Sequence, residues 1–340
     1  MNSRHNKNLQ NIIKDIFIIY TSSYGEYPTK DYINVELKKY LLKKNPIHFI
    51  NNSSNFSYNN LDFLFIVKNG ENYFNHFFPK IYNNIKRNIK GHKFYIYENN
   101  STDQTKNILN NLVEHNIKSI DENIVNNNIF LNVKKYLDDA KLTRYHNILR
   151  ARNNLMTFYK ENILLKKNID NLKNNWVVLM DIDVVFNFQT IKNLFKKVNE
   201  YPDGVMFCCN TKYNNIYYDI LALENGMFFN PTGIHELDKV KIFLNRDREL
   251  KSTFGGLTII RKDILLKNNW NKNIPDIAKK YNCYKDNYIC EHWQFCQDIR
   301  KYGKIYFIKD TDAIWLNDND YKRSDFNMLK KKYLLKFGLM

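Results

Sequence analysis

The sequence predicts an α/β protein, a mixed, mostly parallel sheet flanked by helices. Three observations carry this. Short apolar runs alternate with segments of helical spacing, the order that builds βαβ units. Several of those runs end in polar residues, where open α/β sheets bind ligands. The chain has 340 residues, 44% of them hydrophobic, enough for a sizeable core.

The elements follow in order. Residues 15–20 form a strand candidate and 31–44 a helix candidate, capped by Asp31 and ended by Asn45-Pro46. The polar run NNSSNFSYNN at 51–60 reads as an exposed linker. LDFLFIVKN (61–69) is a strand with a polar end, 71–88 has helical spacing, and KFYIYENN (93–100) is a second such strand. Ser101, Thr102 and Asp103 supply capping chemistry to a helix over 101–116, with apolar residues at 108, 109, 112 and 113. A helix over 142–166, the strand WVVLMDIDVVF (176–186), a helix over 189–200 and the strand GVMFCCN (204–210) come next. CEHWQFCQDIRKYGKIYF (290–307) opens a helix on an acidic residue, then turns at Gly303 into a strand. Three segments result: an N-terminal extension with its linker (1–60), a main domain (61–316) and a basic C-terminal tail (317–340).

The net charge is +17, but Lys outnumbers Arg about fourfold and Ala occurs five times. With its many Asn, Ile, Tyr and Phe, this is the composition that AT-rich codons give. Base reading favours the bidentate fork of Arg, so a Lys-rich solvated surface is expected, with no specific nucleic-acid partner. The basic balance still attracts phosphate-bearing ligands. Five cysteines without a CxxC pair read as free thiols, not as a zinc site. No apolar run approaches about 18 residues. The run Ile16–Tyr20 is too short for a signal-peptide core, so a cytoplasmic chain is expected. The tail YKRSDFNMLKKKYLLKFGLM is basic and partly amphipathic. It reads as a solvated terminal helix, with peripheral membrane contact as the alternative.

Asp181 and Asp183 sit inside an apolar run, where unpaired buried carboxylates are very costly. Two readings stand. They are strand-end turn residues, or they approach one hard cation, Mg²⁺ or Mn²⁺, from one face of an extended segment. In YENNSTDQT (97–105) a strand ends at Glu98 and a polar turn carries Asp103 to a helix start. Capping and a nucleotide pocket are both open there.

In their order, ENNSTDQT, the helix TRYHNILRARNNL and the hydrophobic run into DID, these segments resemble a GT-A-type glycosyltransferase. The closest resemblance is to the fungal capsule-associated α-1,3-mannosyltransferase family. It is carried by Glu291 with Asp298 seven residues on, by Arg144 spaced from Arg152-Asn153, by Asp219 in YYDILALENG, and by the small-residue loop FGGLTII (254–260). The resemblance spans about 61–316. Leu223-Glu224 stands where that family has Arg-Asp, and Trp315 where many GT-A enzymes have a metal-binding His.

The resemblance implies transfer of a sugar from a nucleotide-sugar, GDP-mannose or a UDP-sugar, to an acceptor hydroxyl on a glycan or glycoprotein. It implies Mn²⁺ or Mg²⁺ on Asp181 and Asp183; His292 is a further metal ligand, an acceptor contact or a helix-start residue. Arg144 and Arg152 would face the diphosphate, or else lie on a solvated helix edge or pair with the DID carboxylates, and Glu98 and Asp103 would face the base and ribose. Glu291 and Asp298 would serve the acceptor side, Glu291 as general base if the reaction inverts. Three rivals stand beside it. A nucleotidyltransferase would want a Gly-rich phosphate loop, which is missing. The others are a basic nonenzymatic binder of nucleic acid or membrane surface, and an inactive GT-A-like domain.

Overall fold

In a computed structural model of the chain, the described residues are 61–114, 123–126, 129–132, 144–164, 175–220, 222–223, 237–270 and 290–340. The chain divides into two compact units between Phe56 and Ser57, and the described residues all belong to the second. The elements expected at 15–20 and 31–44, the linker at 51–60, Glu224 and Cys283 lie outside the described residues.

The strands are β1 (Asp62–Val67), β2 (Lys93–Glu98), β3 (Asn123–Asn126), β4 (Ile129–Asn132), β5 (Trp176–Met180), β6 (Val184–Val185), β7 (Gly204–Tyr213), β8 (Ile216–Tyr217), β9 (Arg248–Leu250), β10 (Leu257–Arg261) and β11 (Lys304–Trp315). They form one sheet in the order β3-β4-β2-β1-β5-β10-β7-β11-β6, with β8 on β7 and β9 on β11. β4, β2, β1, β5, β7 and β11 run the same way, and β10 runs against its neighbours β5 and β7. The expected mixed α/β sheet is therefore present.

That one reversed strand positions the site. Because β10 is antiparallel, its entry loop lies at the sheet edge where β5 and β7 end; Leu257 pairs with Met180 and Thr258 with Cys208. The strand expected over 176–186 splits at the aspartates. β5 stops at Met180, and after three residues the chain resumes as β6, which pairs with the end of β11. β11 reaches that far because an irregularity between Ile308 and Asp312 carries it on to Trp315.

The helices are α1 (Glu71–His76), α2 (Phe78–Asn88), α3 (Thr105–Glu114), α4 (Arg144–Leu164), α5 (Phe188–Glu200), α6 (Leu237–Phe243), α7 (Lys262–Lys267), α8 (His292–Ile299), α9 (Asp318–Tyr321) and α10 (Phe326–Lys336). The expected helix over 71–88 breaks at Phe77, with Pro79 in the first turn of the second piece, where a missing N–H costs nothing. Successive strand residues face opposite sides of the sheet. Phe63 and Phe65 pack with Phe94 and Phe78 on one side, while Leu64, Tyr95, Val177 and Leu179 meet Leu155, Met156 and Tyr159 of α4 and Phe295 of α8 on the other. Cys208, Cys209, Cys290 and Cys296 are buried free thiols. The C-terminal segment packs on α1: Phe326 lies 5.1 Å from His76, and the Phe337 carbonyl accepts from Asn187 at 2.8 Å. Among the described residues no helix is long and apolar enough to cross a membrane.

One ion pair is buried at the start of β1. Lys262 donates to Asp62 at 2.5 Å, and Tyr159 donates to the same oxygen at 2.7 Å. Removing one partner strands the other charge, whereas an apolar pair of similar volume does not. Lys262→Met is expected to cost about 3–5 kcal/mol, and the double variant Asp62→Leu/Lys262→Met to recover most of it. Urea denaturation of the three proteins checks this; equal losses in the single and double variants would refute it.

Candidate active site

Six segments converge beyond the carboxyl ends of β5 and β7. The turn after β5 supplies Asp181 and Asp183, the segment after β8 supplies Tyr218 and Asp219, and the loop before β10 supplies Gly255 and Gly256. Arg152 comes from α4, Glu291 and His292 from the start of α8, and Trp315 from the end of β11.

Arg152 ties them together. Its side chain is 7% exposed. Nε donates to Glu291 Oε1 at 3.0 Å, and Nη2 donates to Asp181 Oδ1 at 3.1 Å. Nη2 also lies 3.2 Å from His292 Nε2. The guanidinium carbon sits 5.0 Å from the Phe254 ring centre and 5.7 Å from that of Trp270. Asn153, the next residue, anchors the helix: it donates to the Trp270 carbonyl at 2.8 Å and accepts the Trp270 N–H at 2.9 Å.

The loop before β10 explains its glycines. Both have positive φ, 69° at Gly255 and 63° at Gly256. A Cβ at Gly255 would lie 2.3 Å from the Cys209 carbonyl oxygen, and one at Gly256 would strike the Tyr218 ring. This close approach lets the Gly256 carbonyl take the Asp181 N–H at 2.8 Å and lets the Gly255 N–H reach Asp219 Oδ2 at 3.0 Å. Tyr218 stacks on Trp315 at 5.1 Å and donates its hydroxyl to Asp181 Oδ2.

The four carboxylates differ in their electrostatics. Burial raises the pKa of Glu291, but His292, once protonated, and the Arg152 guanidinium outweigh it and hold the group at about 2. Burial raises Asp181, with Arg152 and Tyr218 opposing it. Burial and then Asp181 push Asp183 well up, although the Trp315 indole hydrogen-bonds to it. Burial and then Asp181 lift Asp219 to about 7. His292 is lowered to about 3 by burial, so its ring is neutral at neutral pH and stacks on Phe254 at 3.8 Å.

The sequence-predicted residues fare differently. Asp181, Asp183, Arg152 and Glu291 come together. His292 joins them as a neighbour of Arg152 and Glu291, with its Nδ1 buried and unpartnered among the described residues. Asp181, Asp183 and His292 do not form a three-ligand group; none of three or more His, Cys, Asp or Glu side chains able to hold a metal occurs among the described residues. Asp298 is not in the cluster. It lies two turns along α8 and accepts from Lys301 at 2.9 Å and Gln294 at 3.3 Å.

Asp103 spends both oxygens on packing α1 against α3. One accepts from the Glu71 N–H at 3.1 Å, the other from the Thr105 N–H at 3.0 Å and from the Thr105 hydroxyl. Glu98 is fully buried: Oε1 accepts from the Ser101 N–H, and Oε2 has no partner among the described residues. These bonds are why α3 starts at Thr105 and not at 101. Arg144 opens α4, and its side chain lies outside the described residues. Sequence reading missed Tyr218 and Trp270; adjacency to Asp219 was the available signal for the first, and none marked the second.

Two carboxylates with only oxygen donors fit Mg²⁺ or Mn²⁺, which take one or two protein carboxylates and complete their shell with phosphate oxygens and water. A cation there would also offset the charges that burial disfavours on Asp181 and Asp183.

No protein-family model and no curated protein matches the sequence. Among solved structures, S. aureus TarS 1-349 matches at 12% identity and a TM-score of 0.43, over 81% of this chain and 65% of that one. The same protein in complex with UDP-GlcNAc matches at 13% identity and a TM-score of 0.43, over 81% and 66%. Mannosyltransferase PcManGT from Pyrobaculum calidifontis, in complex with GDP-Man and Mn2+, matches at 11% identity and a TM-score of 0.43, over 96% and 76%. This chain thus spans just under two thirds of the length of TarS 1-349. Likeness at this level carries no argument about chemistry, which has to come from the site.

The Asp219 carboxyl supplies a test of the site's electrostatics. Its pKa is 3.8 in an ordinary setting and about 7 in the fold. A carboxyl that ionises harder when folded contributes its stability while protonated, and that contribution is lost as pH rises from about 4 through 7. Asp219→Asn removes the ionisation at nearly constant shape. Its thermal midpoint is expected to exceed that of the wild type at pH 8, with the gap narrowing by pH 5. A gap independent of pH would show that Asp219 does not titrate in this range.

Proposed function

We propose that this chain is a metal-dependent GT-A-type glycosyltransferase that moves a sugar from a nucleotide-sugar to an acceptor hydroxyl on a glycan or glycoprotein. The observation that supports this most is the Arg152 junction. One buried guanidinium joins Asp181, at the end of a central strand, to Glu291, at the start of a helix from the other half of the chain. A donor-side carboxylate pair and an acceptor-side carboxylate are thereby held at a set separation, which is what transfer between two bound substrates requires.

The residues divide the work. Asp183, with Asp181, would hold Mg²⁺ or Mn²⁺, which supplies Lewis-acid stabilisation of the leaving nucleoside diphosphate. Arg152 commits Nε and Nη2 to carboxylates, so in this reading it orients Asp181 and Glu291 and keeps Glu291 ionised. Glu291 makes no capping bond at its helix start. Its Oε2, which takes no part in the Arg152 bond, is the oxygen to take a hydrogen bond from the sugar-accepting hydroxyl, or to face the positive charge that develops at the sugar carbon. Asp219 lies next to Tyr218 and titrates near neutrality, the range suited to a general base. Gly255 and Gly256 let the backbone come close to Cys209 and Tyr218 beside these groups. Glu98 at the end of β2 is the base- or ribose-binding candidate; Asp103 acts through the shape of the turn.

Two experiments test the proposal. Nucleotide release from a panel of GDP- and UDP-sugars is expected to require Mn²⁺ or Mg²⁺ and to vanish in Asp183→Ala at unchanged fold; full turnover in EDTA would refute the metal role. Glu291→Gln keeps size while removing charge. It is expected to leave nucleotide affinity unchanged and to lower turnover roughly 10²–10⁴-fold. Loss of nucleotide binding would instead put Glu291 on the donor side.

A further inference from the structure

Arg152 spends its hydrogens on more than the two carboxylates. Nη2 carries two. One goes to Asp181 Oδ1 at 3.1 Å, and the other is directed at His292 Nε2, 3.2 Å away. A guanidinium only donates, so the ring nitrogen that faces it has to accept. A hydrogen on Nε2 would set donor against donor, and a doubly protonated ring would set two cations against each other. Glu291 Oε1 also lies 3.3 Å from Nε2, but that oxygen already takes the Arg152 Nε–H at 3.0 Å. Nδ1 has no partner among the described residues, whichever nitrogen is protonated. Arg152 therefore decides the tautomer, and the neutral ring with its hydrogen on Nδ1 is the form that fits.

The ring is held to this task. His292 is 3% exposed and stacks on Phe254 at 3.8 Å with the planes 12° apart. The Phe254 ring centre also lies 5.0 Å from the guanidinium carbon, so one aromatic side chain flanks both partners of the bond. An apolar ring would fill the same space and stack as well. What the imidazole adds is the acceptor. Without it, one Nη2 hydrogen of a buried guanidinium loses its partner, and the fork is free to turn away from Asp181 and Glu291.

We infer that His292 is a positioning residue, whose neutral Nε2 accepts from Arg152 Nη2 and sets the angle of the fork that holds Asp181 and Glu291. Its effect on turnover rests on the glycosyltransferase reading; the bond itself does not.

Two variants and one spectrum test it. His292→Phe keeps a stacking ring and removes the acceptor, whereas His292→Gln gives up the ring and can place a carbonyl oxygen where Nε2 stands. Turnover is measured with Mn²⁺ and a nucleotide-sugar that the wild type uses, below the thermal midpoints of both variants. His292→Phe is expected to lower kcat roughly 10–100-fold, more than it raises KM for the nucleotide-sugar, as misplacement of reacting groups does. His292→Gln is expected to recover most of that loss. The nitrogen spectrum of histidine-labelled wild type, with His292→Phe identifying the signal, reads the tautomer without any substrate. It is expected to show a neutral ring protonated on Nδ1. Full activity in His292→Phe, equal losses in the two variants, a loss confined to KM, or a hydrogen on Nε2 would each overturn the inference and leave the glycosyltransferase reading standing. Wild-type protein that turns over no nucleotide-sugar would overturn that reading and the effect on turnover with it, while the spectrum still tests the bond.

Discussion

The buried guanidinium of Arg152 is the group on which the arrangement of the site depends. It bonds to Asp181 and Glu291 at 3.1 and 3.0 Å, and these come from segments 110 residues apart in the chain. Neither carboxylate is well solvated, and breaking such a set leaves uncompensated charge behind. Arg suits the position where Lys would not, because its planar fork serves two acceptors at once and its face lies against Phe254 and Trp270. The pair of bonds between Asn153 and Trp270 holds the arginine's helix in register. The site is therefore braced from three sides before any ligand arrives.

Much of the fold was legible because its signals are local. Apolar runs ending in polar residues, and capping chemistry at 101–105, depend on neighbours in sequence, and β1, β2, β7 and α5 lie where periodicity puts them. What sequence could not supply was pairing. WVVLMDIDVVF reads as one strand, since the break at Asp181 is set by β11 arriving at Val184 and Val185. The reversed direction of β10 is equally invisible in FGGLTII, although it alone brings Gly255 and Gly256 to the right end of the sheet.

The site was legible at the level of residue type and less so at the level of role. Charged residues in apolar company marked Asp181 and Asp183, and the family resemblance marked Arg152 and Glu291. Asp298 shared the same short motif as Glu291, but a helix two turns long carries it to Lys301 and away from Arg152. Asp103 illustrates the opposite case: its bonds to Glu71 and Thr105 give it a structural task that a local motif cannot distinguish from ligand binding.

The molecule is basic overall, but its site is rich in acidic groups. The chain carries +17 overall, yet the site gathers Asp181, Asp183, Asp219 and Glu291 around one guanidinium and a neutral His292. The field of the surface lysines draws in a phosphate-bearing ligand from a distance. At close range a bare diphosphate meets Asp181 and Asp183, whose ionisation burial disfavours, and any charge they carry repels it strongly in a poorly solvated site. On the proposed reading, the divalent cation resolves this conflict, because it lets anionic ligand and anionic site share one neutralising charge. Metal dependence is then a condition of donor binding as well as of bond cleavage. Glu291, which Arg152 holds ionised without a metal, is the carboxylate left for the acceptor side.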